Sequence, residues 1–300
     1  MRVLVAGGSG FIGGATVERL VALGMDVTVM TAHPARSEGW IRSLGAVAVE
    51  GDVLRPHTLH HAVEGADAVV QALTFPTFPV ERPRRRYTFG EFDHRGTARL
   101  VAAARHAGVR RYVFVSGSGA APHAERVWFR AKWHGEEAVR ASGLEHAIVR
   151  PSWVYGPRDV ALNRLLWFAR HAPVVPVVGD GRQVLQPVFV DEVAEVLVRA
   201  ARPGGPEGTF EVGGPEVMTM DDVLRTAMEV MGRRRPLLHV PVRVAKAGGW
   251  FARLLPRPLL SPDAVSFLTG DAIADIGPLV EAFGITPRRL RDGLATYLRP

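Results

Sequence analysis

The feature that most constrains the fold is a glycine-rich stretch, VAGGSGFIGG, that joins an apolar run to a helical pattern. The apolar run RVLVA covers residues 2–6, and the helical spacing of FIGGATVERLVALG follows it. The stretch satisfies Gly-x-Gly-x-x-Gly at Gly8, Gly10 and Gly13, and equally Gly-x-x-Gly-x-x-Gly from Gly7. Glycines at this spacing permit a tight turn and bring the backbone close to a pyrophosphate, which the N-terminus of the next helix stabilises. With a strand before and a helix after, the motif predicts a dinucleotide phosphate-binding loop.

Apolar strands alternate with helices through the first half of the chain. Strands are predicted at 2–6, 26–30, 46–50, 67–73, 111–116 and 145–151, and helices near 36–44, 56–64, 90–107 and 126–142. The strands are apolar almost throughout, as in parallel strands that are covered on both faces. We therefore predict an α/β fold, with a Rossmann-type doubly wound parallel sheet in a dinucleotide-binding domain over residues 1–155. Residues 156–300, where Gly/Pro-rich pieces separate shorter elements, are expected to form a smaller C-terminal substrate lobe, with 186–213 returning to the sheet.

The end of the second strand bears on the choice of dinucleotide. A carboxylate there would hold the ribose 2′-hydroxyl of NAD. The sequence reads VTVMTAHPARS, with Thr31 and Ala32 in the place of the acid and Arg36 just beyond. This pattern favours NADP over NAD, although Arg36 is equally interpretable as a solvated residue at a helix start. Asp52, after the third strand, is placed to accept a hydrogen bond from an adenine amino group, or alternatively to cap a turn.

Composition limits the remaining alternatives. The 300 residues are 47% hydrophobic, carry a formal net charge of +7 and include no cysteine, which excludes disulfides, thiolate chemistry and cysteine-based metal sites. The arginines are scattered, so nucleic acid is not an expected partner. No apolar run approaches the ~20 residues that span a bilayer. We expect a cytoplasmic protein without a metal, in which a nicotinamide dinucleotide and an unidentified small molecule are the ligands.

Several segments, in order along the chain, resemble an extended or atypical short-chain dehydrogenase/reductase of the NAD-dependent epimerase/dehydratase kind. They are AGGSGFIGG, EGDVLRP, FDHRGTARLVAAARHAGVRRYVFVSGSG, AKWHGEEAVRASGLEHAIVRPSWVYGPRD and VGDGRQVLQPVFVDEVAEVLV. The similarity is greatest to the group related to the NAD(P)H-binding accessory subunit of respiratory complex I. The C-terminal LTGDAIADIGPLVEAFGITPRRLRDGLATYL is similar to that group as well.

The resemblance implies cofactor-binding positions at the strand ends. They are Gly7, Ser9, Gly10, Phe11, Ile12 and Gly13 in the phosphate loop, Arg36 after the second strand, Asp52 and Val53 after the third, Ala72, Leu73 and Thr74 after the fourth, Ser116 after the fifth, Pro151, Ser152 and Val154 at the sixth, and Lys132 on a helix. Ser118 matches the family's catalytic serine better than Ser116, because it lies two residues past the predicted end of its strand at residue 116. Either serine is otherwise a turn hydroxyl that bonds local backbone.

The family's proton donor is the tyrosine of a Tyr-x-x-x-Lys pair, and the ammonium helps to lower the pKa of that tyrosine. Lys132 matches the lysine, which in the family also bonds the nicotinamide ribose. Trp128 occupies the tyrosine position. An indole has an N–H donor and no titratable hydroxyl, so the usual acid is missing.

Two functions stay open. One is an NAD(P)-dependent oxidoreductase acting on a quinone or other conjugated carbonyl, with protons from Ser118, water, His123 or His134. The other is a non-catalytic protein that holds the nucleotide for a structural, assembly or sensing role. A nucleotide-sugar epimerase or dehydratase is a third class, and Trp128 counts against it because those enzymes usually depend on the same tyrosine.

Two further segments bear on the surroundings of the site. The basic and apolar segment 242–260, with Trp250 and Phe251, is interpretable as helix packing or as a surface for a membrane or a protein partner. The aromatic-rich loop 74–87 follows the fourth strand and is expected to overhang the cofactor.

Overall fold

The structure, a computed structural model, describes residues 1–252 and 270–299, with side chains given for 1–247 and 270–299. Its strands are β1 (Arg2–Ala6), β2 (Asp26–Thr31), β3 (Val47–Glu50), β4 (Ala68–Gln71), β5 (Arg111–Val115), β6 (Glu145–Pro151), β7 (Trp153–Tyr155), β8 (Val175–Val178), β9 (Val184–Leu185), β10 (Pro187–Phe189), β11 (Gly208–Val212), β12 (Met218–Thr219) and β13 (Leu237–Val240). Within the described residues, a sheet of seven parallel strands has the order β11-β6-β5-β4-β1-β2-β3. The predicted Rossmann-type sheet is confirmed, and its strand order reverses between β1 and β4, where such folds bind ligands.

The helices cover both faces of this sheet. They are α1 (Phe11–Ala22), α2 (Pro34–Ser43), α3 (Leu59–Val63), α4 (Thr97–His106), α5 (Val127–Arg140), α6 (Ala161–His171), α7 (Val190–Ala201), α8 (Met220–Val230), α9 (Val242–Ala252), α10 (Gly277–Phe283) and α11 (Leu290–Ala295). Among the described residues, no helix is long and apolar enough to cross a membrane.

Side chains of β1 alternate between two apolar cores, as the two-residue period of a strand requires. Val3 and Val5 pack on the face covered by α1, α2, α7 and α10. Leu4 and Ala6 pack on the opposite face, with α3, α4 and α5. Both faces of β1 are covered, which fits the apolar run Val3–Ala6, and the C-terminal end of the strand leads into the glycine-rich loop.

A third apolar cluster lies beyond β6. Tyr155, Phe189, the buried faces of α6 and α8, and Leu290 and Leu294 of α11 form it. The short pairs β7–β10, β8–β13 and β9–β12 connect these helices. Thr219 caps α8, and its hydroxyl accepts from the Asp222 backbone N–H at 3.1 Å.

Two helices differ from their predicted form. The predicted helix 90–107 is a π-helical turn (Gly90–Gly96) followed by α4, and the predicted helix 56–64 is a 3₁₀ turn (Pro56–Thr58) followed by α3. The wider π turn places Asp93 inside the protein, where its carboxylate pairs with a lysine of α5. Wider turns of this kind are frequent at functional sites.

Segment 242–260 lies only partly in the described chain. α9 ends at Ala252, and the side chains of Trp250 and Phe251 and all of residues 253–260 lie outside the described residues.

Candidate functional site

The loop between β1 and α1 is built from close backbone contacts. Gly7 has φ of +88°, and a Cβ there would lie 2.5 Å from the carbonyl oxygen of Ala72, the residue after β4. The Gly10 N–H donates to the Gly7 carbonyl at 2.9 Å. A Cβ on Gly13 would clash with that same carbonyl. Backbone atoms, which cannot rotate away, therefore require glycine at Gly7 and Gly13.

The start of α1 fits a pyrophosphate. Ser9 and Gly10 are exposed, and Gly10, at the N-cap, has no side chain to occupy the first N–H groups of the helix. The first turn carries no acidic residue that would repel an anion. These N–H groups and the helix dipole are therefore available to a dinucleotide phosphate.

Two arginines, one in α2 and one after β3, bear on the missing acid at the end of β2. Arg36 is exposed in the first turn of α2. Arg55, which the sequence reading did not single out, donates to the Ala32 carbonyl at 3.3 Å and pairs with Glu50 at 3.1 Å. Arg55 therefore adds a guanidinium, besides that of Arg36, near Ala32, where an acid would hold the ribose 2′-hydroxyl of NAD.

In this structure the Asp52 side chain caps a turn, which is one of the two roles expected for it. Its Oδ1 accepts from the Leu54 backbone N–H at 2.8 Å, and its Oδ2 accepts from Arg55 Nε at 3.2 Å. Val53 is buried, and its carbonyl accepts from Arg99 at 2.9 Å. The adenine contacts of Asp52 and Val53 stay predictions.

The strand ends around β4 and β6 bring several of the predicted residues together. Ala72 continues β4 and donates to the Ala6 carbonyl at 2.8 Å, while Thr74 is exposed. The Ser118 N–H donates to the Pro151 carbonyl at 3.0 Å. Ser152 donates its hydroxyl to the Gln186 carbonyl. Their roles toward a cofactor stay predictions.

Three apolar residues expected at the cofactor also contribute to packing. Phe11, Ile12 and Val154 pack against a small buried cluster between α1 and α7. Leu73 lies partly buried against the core of the opposite face.

The two serines after β5 have different partners. Ser116 is 4% exposed and its hydroxyl donates to Glu136 Oε1 at 2.5 Å. Ser118 is partly exposed and its hydroxyl donates to the Ile273 carbonyl of the segment before α10. The Ser116 hydroxyl is therefore bound to a buried carboxylate. The Ser118 hydroxyl instead links the β5–α5 loop to the segment before α10.

Lys132 lies on the buried face of α5. Its Nζ lies 2.8 Å from Asp93 Oδ1 and donates to the Val115 carbonyl at 2.8 Å. Lys132 is 4% exposed and Asp93 2% exposed, so this is a buried ion pair. Burial raises the pKa of the Asp93 carboxyl, and the Lys132 ammonium opposes that shift. An ammonium has three donors, so one N–H remains beyond the two contacts within the described residues.

Trp128 forms part of an aromatic wall beside the serines. A Cβ on Gly117 would meet the Trp128 ring at 3.0 Å, so the indole lies directly against the backbone between Ser116 and Ser118. The ring also contacts Phe78 edge-on, with centroids 6.1 Å apart. Phe78 belongs to loop 74–87, which therefore reaches the first turn of α5.

A second buried carboxylate, Glu136, lies one turn after Lys132. It is fully buried and accepts from Arg150 Nε at 2.8 Å and from Arg140 Nη2 at 2.7 Å. Sequence reasoning missed both Asp93 and Glu136. A detectable signal was present for Glu136, which is four residues from Lys132 and shares its helix face with Ala131 and Val139.

The histidines lie at the periphery. His134 is exposed and stacks on His94 with ring centroids 4.7 Å apart, and His123 is exposed in the loop before α5. Burial lowers the pKa of His94, with smaller contributions from His134 and Arg95. In the described ranges 1–252 and 270–299, no group of three His, Asp or Glu could hold a metal ion.

A glycine-built phosphate loop at the switch point of a parallel sheet, with a lysine under the adjacent strand ends, defines a dinucleotide-binding protein of the short-chain dehydrogenase type. The chain belongs to the NAD(P)H-binding family of atypical short-chain dehydrogenases/reductases, whose NAD(P)H-binding domain matches residues 7–165.

Relatives extend over nearly the whole chain. It is 27% identical to "NADH dehydrogenase [ubiquinone] 1 alpha subcomplex subunit 9, mitochondrial" of Arabidopsis thaliana, over 98% of this chain and 76% of the relative. It is 30% identical to "(4-alkanoyl-5-oxo-2,5-dihydrofuran-3-yl)methyl phosphate reductase" of Streptomyces griseus, over 98% and 97%. UDP-glucuronic acid 4-epimerase of Bacillus cereus, solved with UDP-glucuronic acid and NAD, superposes with a TM-score of 0.78 at 20% identity, over 98% and 96%, and shows the shared fold.

Proposed function

We propose that this protein binds NADP or NAD across the ends of β1, β4 and β5 and reduces a quinone or other conjugated carbonyl. The observation that carries the proposal is that α5 holds the lysine in place but has an indole at the position where the family has its proton donor. Lys132 is fixed by Asp93 and by the Val115 carbonyl, whereas Trp128 can supply no titratable hydroxyl. The reductase from Streptomyces griseus, which is 30% identical over 98% of this chain, supports a reductase activity.

The bound dinucleotide supplies a hydride, which carries two electrons. This chain's residues bind the pyrophosphate, orient the ribose through Lys132, and enclose one side of the reacting position with Trp128 and Phe78. A conjugated acceptor spreads the charge that the hydride brings, so it needs less help from an acid than a simple ketone does. Water or the Ser118 hydroxyl then supplies the proton that completes reduction.

Purified protein mixed with NADPH or NADH and a short-chain quinone tests this proposal through loss of reduced-dinucleotide absorbance. We expect turnover with the quinone that exceeds turnover with an unconjugated ketone. A Gly13→Ala variant, in which the phosphate loop is disrupted, serves as the control for dinucleotide-dependent activity. Tight dinucleotide binding with no turnover on any acceptor would overturn the enzymatic proposal.

That outcome would favour the second candidate, a protein that holds the nucleotide for a structural, assembly or sensing role. Its support is the likeness to a protein named as a subunit of NADH dehydrogenase, which covers 98% of this chain. A bound nucleotide would then stabilise the fold by mass action, so its removal should lower the melting temperature.

NADP is the dinucleotide that we propose. Thr31 and Ala32 replace the acid after β2, and two guanidiniums, Arg36 and Arg55, lie in that region. Calorimetric titration of NADP and NAD tests the choice, with Arg36→Ala and Arg55→Ala as variants. We expect either substitution to weaken NADP and to leave NAD unchanged; equal losses for both dinucleotides would contradict a role at the 2′-phosphate.

A further inference from the structure

Asp93 and Lys132 form a charge-compensated pair beneath the ends of the strands. The π-helical turn carries Asp93 into the protein, and α5 carries Lys132 to meet it at 2.8 Å. The Asp93 backbone is held as well. The Thr97 hydroxyl donates to its carbonyl at 2.7 Å, and a Cβ on Gly135 of α5 would clash with that carbonyl. The Asp93 backbone is therefore fixed against α5, and its carboxylate lies against the lysine.

Other nearby carboxylates do not neutralise Lys132. Glu136, one turn further along α5, is bound by Arg150 at 2.6 and 2.8 Å and by Arg140 at 2.7 Å. Its charge is taken up by two guanidiniums. Asp93 is thus the carboxylate that balances the lysine among the described residues, and the pair as a whole carries no net charge.

We propose that Asp93 is a positioning residue that cancels the field of Lys132 at the nicotinamide end of the dinucleotide site, so that the site does not discriminate against the oxidised, cationic ring. This inference rests on the proposed dinucleotide binding. The oxidised nicotinamide ring carries a positive charge and the reduced ring is neutral. An uncompensated ammonium close by would repel only the oxidised form. With Asp93 in place, Lys132 can direct its remaining N–H to the ribose without that penalty.

The same compensation fits Trp128. In a Tyr-x-x-x-Lys pair the ammonium is useful because it lowers the pKa of the tyrosine. Trp128 has no proton to release, so a free cationic field would serve no acid here. Lys132 then contributes geometry and a hydrogen-bond donor, and Asp93 removes its charge from the site.

The test compares affinities for the oxidised and reduced forms of the same dinucleotide. For the protein and its Asp93→Asn variant, we would measure the Kd of NADP and of NADPH by calorimetry and by the fluorescence of the reduced ring. Asn is nearly isosteric and keeps an oxygen that accepts from Lys132, so it removes charge with little change of shape. We expect the ratio of the oxidised to the reduced Kd to rise about 3- to 10-fold, as expected for two like charges several ångströms apart in a partly screened site.

Three variants separate charge from structure. Asp93→Asn/Lys132→Met removes both charges, and the ratio should return to the wild-type value although both affinities fall. Thr97→Val disturbs the same π turn without changing charge, and should leave the ratio unchanged. Asp93→Ser, whose smaller side chain admits water to Lys132, replaces Asp93→Asn if the latter does not fold, and its ratio should also rise.

The outcomes distinguish this inference from the function on which it rests. A wild-type protein that binds neither form overturns the proposed dinucleotide binding. Binding by wild type and Asp93→Asn with the same ratio overturns only the charge compensation. A ratio that rises equally in Thr97→Val would show that any disturbance of the turn suffices, and would also overturn it.

Discussion

The two ends of the proposed cofactor site are built by different means. At the phosphate end, backbone atoms of Gly7, Gly10 and Gly13 make the surface, and their partners lie within the loop or at Ala72, just after β4. At the nicotinamide end, side chains make the surface, and each depends on a distant element: Lys132 on Asp93, and Trp128 on Phe78. At the phosphate end, a Cβ added to Gly7 or Gly13 would clash with backbone atoms. At the nicotinamide end, loss of Asp93 or Lys132 would leave the other charge buried without a counter-charge. Predictions that separate steric from electrostatic effects therefore test the difference.

The largest effect is expected from adding one methyl group at the phosphate end. Gly13→Ala places a Cβ against the Gly7 carbonyl, which the backbone cannot move without opening the loop. We expect the Kd for the dinucleotide to rise about 100-fold or more, which is about 2.7 kcal/mol, and the stability to fall by about 3 kcal/mol. Calorimetric titration and urea unfolding measure these changes.

Gly14→Ala is the matched control. Its Cβ would meet the guanidinium of Arg158, 2.6 Å away, at the end of a flexible side chain, and the ring of Trp40 at 3.1 Å. Because Ala is favoured over Gly inside a helix by about 1 kcal/mol, the net change should be small. Equal losses in the two variants would show that the phosphate loop is not the sensitive part of α1.

The next effect concerns the charged end. Lys132→Met leaves the buried Asp93 carboxylate unpaired, so we compare it in the Asp93→Asn background, where it removes the donor proposed for the ribose without stranding a charge. There we expect the dinucleotide Kd to rise about tenfold, as for loss of one hydrogen bond from a charged group. Arg105→Met, at an exposed position on α4, removes an equal charge away from the site and should leave the Kd unchanged. A loss shared by both variants would mean that net charge, and not the position of Lys132, matters.

The sequence predicts the phosphate end better than the nicotinamide end, for a physical reason. A glycine loop between a strand and a helix is a local arrangement, and RVLVAGGSGFIGG contains all of it. The parallel sheet can be predicted in the same way, because strands covered on both faces are largely apolar, as YVFV of β5 is. Asp93 and Lys132 are 39 positions apart, and their pairing depends on a π turn that no local pattern in FDHRGT specifies.

A smaller effect is expected at the aromatic wall. Trp128→Ala removes ring contacts with Gly117 and Phe78, and we expect a loss of about 2 kcal/mol in stability, less than for a fully buried aromatic residue. The dinucleotide Kd should stay within about threefold of wild type, since no phosphate or ribose contact is assigned to the indole. Trp167→Ala, at a position 54% exposed, provides the comparison and should change stability much less. A larger loss of binding in Trp128→Ala than in Lys132→Met would reverse the assignment of roles on α5.

The smallest effect contrasts the two acids of the π turn. Glu91, two residues before Asp93, is only partly buried and is held by Arg86 at 2.6 Å, Arg95 and Arg99. Burial acts to raise the pKa of Glu91, but the hydrogen bonds from these arginines outweigh it, and the pKa lies below its ordinary value of 4.5. A carboxyl with a lowered folded-state pKa stabilises the protein above its unfolded pKa, and this stabilisation is lost as the pH falls through the folded value.

We therefore expect Glu91→Gln to cost about 1 kcal/mol at neutral pH, a value typical of solvent-screened ion pairs, and to make the acid-induced loss of stability below pH 4.5 shallower. Urea midpoints measured from neutral to acidic pH would show this, with Glu137→Gln on the exposed side of α5 as the control. The ratio of oxidised to reduced dinucleotide affinity should not change, because Glu91 lies outside the Asp93–Lys132 pair. A change in that ratio equal to the one expected for Asp93→Asn would mean that the whole turn, and not the buried acid, sets the charge at the nicotinamide end.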